Sequence, residues 1–229
     1  MNAPPMPAVR HLFAISLLVP LLAGCSSLLG GGSERERATI YAPDPRVQTD
    51  PTWPQADWQL TLSPPTAARM IDSFRIAVRP APSELQVYRG ASWAKTPTDM
   101  LQDTVLRTLE DSGRIPAVAR QGAGITADYK LVLDLRRFEA DYAGNVLPAA
   151  AIEVNAKLIH NIDQTVVGSR TFLSAEPASG IEVAQVVDAF TASLQAISGD
   201  MVGWILEVGN AHELTHRAPD APAPTPLRR

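Results

Sequence analysis

The chain has 229 residues, 45% of them hydrophobic and 19% charged, with 20 basic side chains against 24 acidic ones for a formal charge of −4. That composition belongs to a folded domain: it is too apolar for a disordered chain and not basic enough for a nucleic-acid surface. A single cysteine excludes an internal disulfide framework and any multi-cysteine metal site. The 14 glycines and 20 prolines fall in clusters, without the period that a repeat architecture requires.

Arg10 and His11 precede an apolar run from Leu12 to Ala23 that only Ser16 and Pro20 interrupt. Twelve helical residues span about 18 Å, against roughly 30 Å for a bilayer core, so the run is too short to cross a membrane. A positive flank, a short apolar centre and a small-residue exit match a secretory signal peptide. The exit reads Leu22-Ala23-Gly24-Cys25 and resembles the bacterial lipobox, in which the cysteine sulfur is diacylated and the chain is cut before it. Residues 1–24 are accordingly predicted as a lipoprotein signal peptide, with Cys25 as the lipid anchor. Ser26 after the cysteine, by resemblance to other Gram-negative lipoproteins, points to the outer membrane. The discarded segment holds one base and no acid, so the mature chain is more negative still. Its attachment to anionic lipid then rests on acyl chains and not on charge.

Residues 25–38, with Gly30-Gly31-Gly32-Ser33 and alternating Glu34-Arg35-Glu36-Arg37, read as a flexible tether. The stretch up to Pro54 is proline-rich and is predicted to wrap the surface in extended form. Trp58 to Leu62 alternates and stops at Pro64-Pro65, which predicts an edge strand. Phe74, Ile76 and Val78 predict a half-buried strand, with Glu84 to Tyr88 as its neighbour. Thr96 as cap, Pro97 at the first helical position and Gly113 at the end delimit a helix whose apolar face is Leu101, Val105, Leu106 and Leu109. Ile115 to Val118 reads as a short strand. Tyr129, Leu131, Leu133 and Leu135 alternate through the longest strand, with a bulge near Arg136-Arg137. Ile152 to Leu158 and Val166 to Leu173 form a hairpin about Asn161–Gln164.

A long helix is predicted from Glu182 to Glu207, closed by Gly209-Asn210. Its stripe of Val183, Val187, Phe190, Leu194, Ile197, Met201, Trp204 and Val208 suits either a face packed on a sheet or a seam for a homo-oligomer, and the first is the commoner use. The domain is set at residues 39–208, and residues 209–229, with an Ala-Pro end, are read as a disordered tail. The order of elements predicts a single α/β domain: a mixed, largely antiparallel sheet with two main helices packed on it.

Catalytic chemistry is sparse. No Gly-x-Ser-x-Gly elbow surrounds a serine, and Glu139 and Asp141 beside Arg136 and Arg137 read as ion pairs on a solvated edge. The string His212-Glu213-Leu214-Thr215-His216 does match the metalloprotease pattern, which needs two histidines on one helix face and a glutamate. It falls after the predicted helix stop and has no third ligand downstream except Asp220, so no metal or cofactor is assigned. A zinc hydrolase is kept as an alternative function, beside an outer-membrane assembly lipoprotein.

Tyr88-Arg-Gly-Ala-Ser-Trp93, Pro97-Thr-Asp-Met-Leu101, Leu109-Glu-Asp-Ser-Gly-Arg114, Asp128-Tyr-Lys-Leu-Val-Leu133, Phe138-Glu-Ala-Asp141, Arg170-Thr-Phe172 and Val202-Gly-Trp204 follow the lipobox in an order that resembles the ABC-type transport auxiliary lipoproteins. The resemblance implies a non-enzymatic lipoprotein on the periplasmic face of the outer membrane. Its implied partners are an MCE-type (mammalian cell entry) protein with an inner-membrane permease and ATPase, and its implied cargo is lipid or another hydrophobic solute. No cofactor, catalytic residue or nucleic-acid partner is implied. Tyr88 and Trp93 are the candidate docking aromatics.

Overall fold

The computed structural model describes residues 38–217. In chain order its elements are β1 (Thr39–Tyr41), β2 (Gln59–Leu62), β3 (Thr66–Ala67), β4 (Arg75–Arg79), β5 (Gln86–Trp93), α1 (Pro97–Ser112), β6 (Ala117–Arg120), β7 (Tyr129–Asp141), β8 (Ala149–His160), β9 (Val166–Pro177) and α2 (Val183–Arg217). The expected class holds: one mixed sheet carries two helices. Cys25 and its lipobox, the tether through Arg37 and residues 218–229 lie outside the described residues.

The sheet is organised about β7. Its alternation buries Tyr129, Leu131, Leu133 and Leu135 on the helix side. One edge pairs antiparallel with β8 along its length, from Tyr129 opposite His160 to Asp141 opposite Ala149, and β8 pairs with β9 in the same sense. Three short parallel strands tile the other edge: β2 beside Tyr129 to Leu131, β3 beside Asp134 and Leu135, and β4 beside Ala140 and Asp141. β4 then carries β5, β5 carries β1, and β2 carries β6. The bulge falls where the broken alternation placed it. The register shifts between Leu135 and Arg137, and Phe138 returns to the core.

Two strand assignments are corrected. β2 is not an edge strand, because Pro64-Pro65 end the chain segment beyond the ladder and β6 and β7 flank it on both sides. The strand read as Glu84 to Tyr88 does not stop there, and Tyr88 to Trp93 is the second part of β5. Its alternation is masked by an irregularity in which Arg75 faces Ser92 while Ala77 faces Val87, with Gly90 at φ 64° in between. β1 and β3, three and two residues long, carry no period to detect.

α1 has the ends its sequence spells. Thr96 is extended at φ −68°, ψ 154°, its hydroxyl accepts from the Asp99 amide at 3.4 Å, and Gly113 closes the helix at φ 62°.

α2 runs on to Arg217, so residues 209–217, read as the start of a tail, belong to the helix. The stripe faces the core, with Phe190, Leu194 and Met201 fully buried, and the self-association seam is not needed to explain it. Val202, Ile205 and Leu206, off the stripe, are equally buried, so this part of the helix is apolar on more than one face. α1 and the proline-rich segment before β2 lie against it. Gly199, Gly203 and Gly209 admit that segment: a β-carbon would stand 3.3 Å from Val47, 2.9 Å from Trp53 and 2.2 Å from Trp58 respectively.

Gly209-Asn210 is therefore a seat for an indole and not a helix stop. Trp58 Nε1 donates to Asn210 Oδ1 at 2.8 Å, and Asn210 Nδ2 donates to the Gln55 carbonyl at 2.9 Å.

Glu139 departs from its expected place on a solvated edge. It is fully buried, and Arg79 grips it with two bonds of 2.7 and 2.9 Å while Arg137 Nε adds a third at 2.9 Å. Arg137 also reaches Asp141, and Arg136 turns instead to Asp134 and Glu153. The bulge separates the two arginines, so only the second faces Glu139.

Two stability predictions follow from this packing. Helix propensity alone would have Gly209→Ala stabilise by about 1 kcal/mol, whereas overpacking against Trp58 costs about 1–3 kcal/mol. A lower urea midpoint for Gly209→Ala is expected, and a higher one would mean that Trp58 does not pack there. Glu139→Ala, which strands two arginines, should cost about 3 kcal/mol, the low end for a broken buried pair. The arginines keep some water, at 27% and 30% side-chain exposure. Glu139→Ala within 0.5 kcal/mol (about the scatter of an ordinary surface substitution) would refute the grip.

Candidate functional site

Where β7 begins and β8 ends, the last turns of α2 close over the sheet and bring several polar side chains together. Tyr129 and His160 are cross-strand partners. The Tyr129 ring lies 5.3 Å from His160, 4.9 Å edge-on from Trp58 and 5.7 Å edge-on from His212, centroid to centroid. His212 and His216, four residues apart, share one face of α2. Their rings lie 4.9 and 4.8 Å from His160 and 5.4 Å from each other. His160 is buried, His212 half-buried, and His216 sits exposed at the rim.

Hydrogen bonds hold this group in place. The Tyr129 hydroxyl donates to Glu213 Oε1 at 2.8 Å and lies 2.7 Å from His212 Nδ1. His160 Nδ1 is 3.0 Å from Oδ1 of Asp163, in the β8–β9 turn. The same oxygen accepts from the Thr165 amide at 3.1 Å and the Thr165 hydroxyl at 2.8 Å. Those bonds, with His160, hold the Asp163 carboxyl well below the usual carboxylate range. Burial, and then the neighbouring His160 and His216, push His212 protonation below the usual histidine value. Ligand-capable atoms of His160, His212 and Glu213 all lie within 4.8 Å of one another, as do those of His160, Asp163 and His216.

The structure thus gives the His212–His216 string what its sequence position seemed to deny it: an ordered helix and upstream partners. His160, Tyr129 and Asp163 were not foreseen as members. Period-two alternation places Tyr129 and His160 on strands, but only the β7–β8 register sets them opposite each other.

The expected docking aromatics fare differently. Trp93 is 2% exposed, with its indole edge-on to Phe138 and Phe190 at 5.9 and 5.2 Å, so it builds the core and cannot present its ring to a partner. Tyr88 is half-buried against the margin of the core, and burial, with Tyr142 beside it, pushes its phenol pKa up, so it ionises less readily.

Two clefts lie elsewhere. One of about 460 Å³ runs between the segment around Trp53 and the α2 face carrying Gln195, Asp200 and Glu207. The other, about 330 Å³, lies by the β7–β8 turn, against Arg137, Leu147 and Leu173. Neither is lined by a histidine, serine or cysteine.

Comparison with known proteins places the fold. A crystal structure of a Xanthomonas campestris protein is 56% identical, covers 77% of this chain and 99% of its own, and superposes with a TM-score of 0.75. A second crystal structure, 14% identical with a TM-score of 0.57, covers 72% of this chain and 97% of its own and shares the fold alone. A curated protein from Bradyrhizobium diazoefficiens is 26% identical over 184 residues, 80% of this chain, and the chain spans about half the length of that relative, 49%. Among the described residues no helix is long and apolar enough to cross a membrane. The family described as the ABC-type transport auxiliary lipoprotein component matches residues 39–202, from the first strand to the middle of α2. The chain belongs to that family.

Proposed function

We propose that the chain is held by acyl groups on Cys25 at the periplasmic face of the outer membrane. There it supports an ABC transporter of the MCE type that moves lipids or other hydrophobic solutes between membranes, acting by docking and not by catalysis. The observation that carries this reading is the family match over residues 39–202, preceded by Leu22-Ala23-Gly24-Cys25.

With Trp93 in the core, docking is assigned to the outer edge of β9. Among the described residues this strand pairs with β8 alone, so a 12-residue edge is open to an added strand. Val166 and Leu173, 55% and 63% exposed, stand along that strand. The partner is an extended segment of the transporter's periplasmic part.

Crosslinking and affinity recovery from envelope membranes test the reading. The wild type is expected to recover MCE and permease subunits, and Cys25→Ser to lose them. Absence of both subunits with the wild type would remove the reading's support. The double variant Val166→Lys, Leu173→Lys should keep its melting temperature within about 2 °C, as surface changes do, and lose most of the recovered permease. Undiminished recovery would move the docking surface off β9.

A further inference from the structure

We infer that His160, His212 and Glu213 form a binding site for one divalent transition-metal ion of the zinc class, which ties the C-terminal end of α2 to the end of β8. His160 comes from the strand and the other two from the helix, so the ion cross-links two elements. His212 and Glu213 lie beyond residue 202, where the family match ends, so the family description does not reach them.

The ligand atoms converge. One ligand-capable atom from each of the three residues lies within 4.8 Å of the other two. A triangle with no longer side has a point at most about 2.8 Å from all three corners, against metal bonds of about 2.0–2.2 Å to histidine and carboxylate. Each atom then moves in by less than about 1 Å, within the reach of a side-chain rotation. Adjacent helical residues point about 100° apart. Even so, His212 Nδ1 and Glu213 Oε1 both meet the Tyr129 hydroxyl, at 2.7 and 2.8 Å. That one phenol gathers them beside His160, its own cross-strand partner.

Each ligand also has a group behind it. A carboxylate only accepts, so His160 carries its proton on Nδ1 toward Asp163 and keeps the lone pair on Nε2. The phenol gives its one proton to Glu213, so His212 donates from Nδ1 to the phenol oxygen and keeps its lone pair on Nε2 as well. A carboxylate has about four lone-pair sites, so Glu213 accepts from Tyr129 and still binds an ion. Ligands oriented from behind by a carboxylate or hydroxyl are the usual arrangement at a metal centre.

His160, Asp163 and His216 meet the same distance limit, but Asp163 and His216 are both exposed. Asp163 Oδ1 already accepts from the Thr165 amide and hydroxyl besides His160. Asp163 is therefore the group behind a ligand, and His216 stands at the rim outside the set. Two imidazoles and one carboxylate suit zinc, iron or nickel over magnesium or calcium.

The test uses the full-length lipoprotein in detergent, stripped with a chelator, dialysed and titrated with zinc(II) chloride by calorimetry and thermal melting. One equivalent should bind with a dissociation constant below about 1 µM and raise the melting temperature by several degrees, since only the folded state binds it. His212→Gln and Glu213→Gln should each weaken binding about tenfold or more, whereas His216→Ala should change it by less than about threefold. Glutamine at position 213 still accepts from Tyr129, so that variant keeps the fold and removes the charge alone. Four outcomes would overturn the proposal. They are no saturable uptake at about 10 µM zinc, an adventitious ion only (several weak equivalents without a melting shift), stoichiometric binding that neither His212→Gln nor Glu213→Gln weakens, or binding that His216→Ala abolishes.

Discussion

The need to pair both edges of β7 shapes the rest of the molecule. A buried strand of 13 residues cannot leave a row of amides and carbonyls without partners. β8 supplies one edge with a single long ladder. The other is completed piecemeal by β2, β3 and β4, three separate stretches between residues 59 and 79. That piecewise edge explains why the family match begins so early: residues before α1 complete the ladder and are not a decoration on it. The same requirement positions Glu139. It lies opposite Ala151 on the face away from the helices, where only Arg79, from the strand completing the edge, and Arg137, displaced by the bulge, can neutralise it.

Most of the architecture was legible because it rests on period. The alternation from Tyr129 to Leu135, the break at Arg136-Arg137, the Thr96-Pro97 start and Gly113 end of α1, and the stripe of α2 each follow from one local rule, and each stands where it was expected. What stayed hidden depends on a partner far along the chain. Gly209-Asn210 has the composition of a helix end, and only Trp58, more than 150 residues earlier, makes it a packing surface. Trp93 has the composition of an interface anchor, and only Phe138 and Phe190 make it core. Glycine and tryptophan are ambiguous in this way because one offers space and the other needs it.

The candidate site shows the same split. The two helical histidines were visible as a spaced pair, while His160 and Tyr129 join them through a register that no local pattern specifies. On the local signal alone, Gly209 closes the helix before the pair. α2 instead runs through it to Arg217.

The seat of Trp58 against the last third of α2 has a consequence for how the chain folds. Its partner Asn210 is 152 residues away, and β2 waits on β7, about 70 residues downstream. Contacts of such sequence separation slow folding, because chain entropy is lost before the contacts repay it. β2 and β3 have no partner strand until β6 and β7 appear, and Trp58 has no seat until the final helix does. Maturation of the domain is therefore a late, concerted event, and any truncation that removes the end of α2 exposes an indole at the opposite end of the chain.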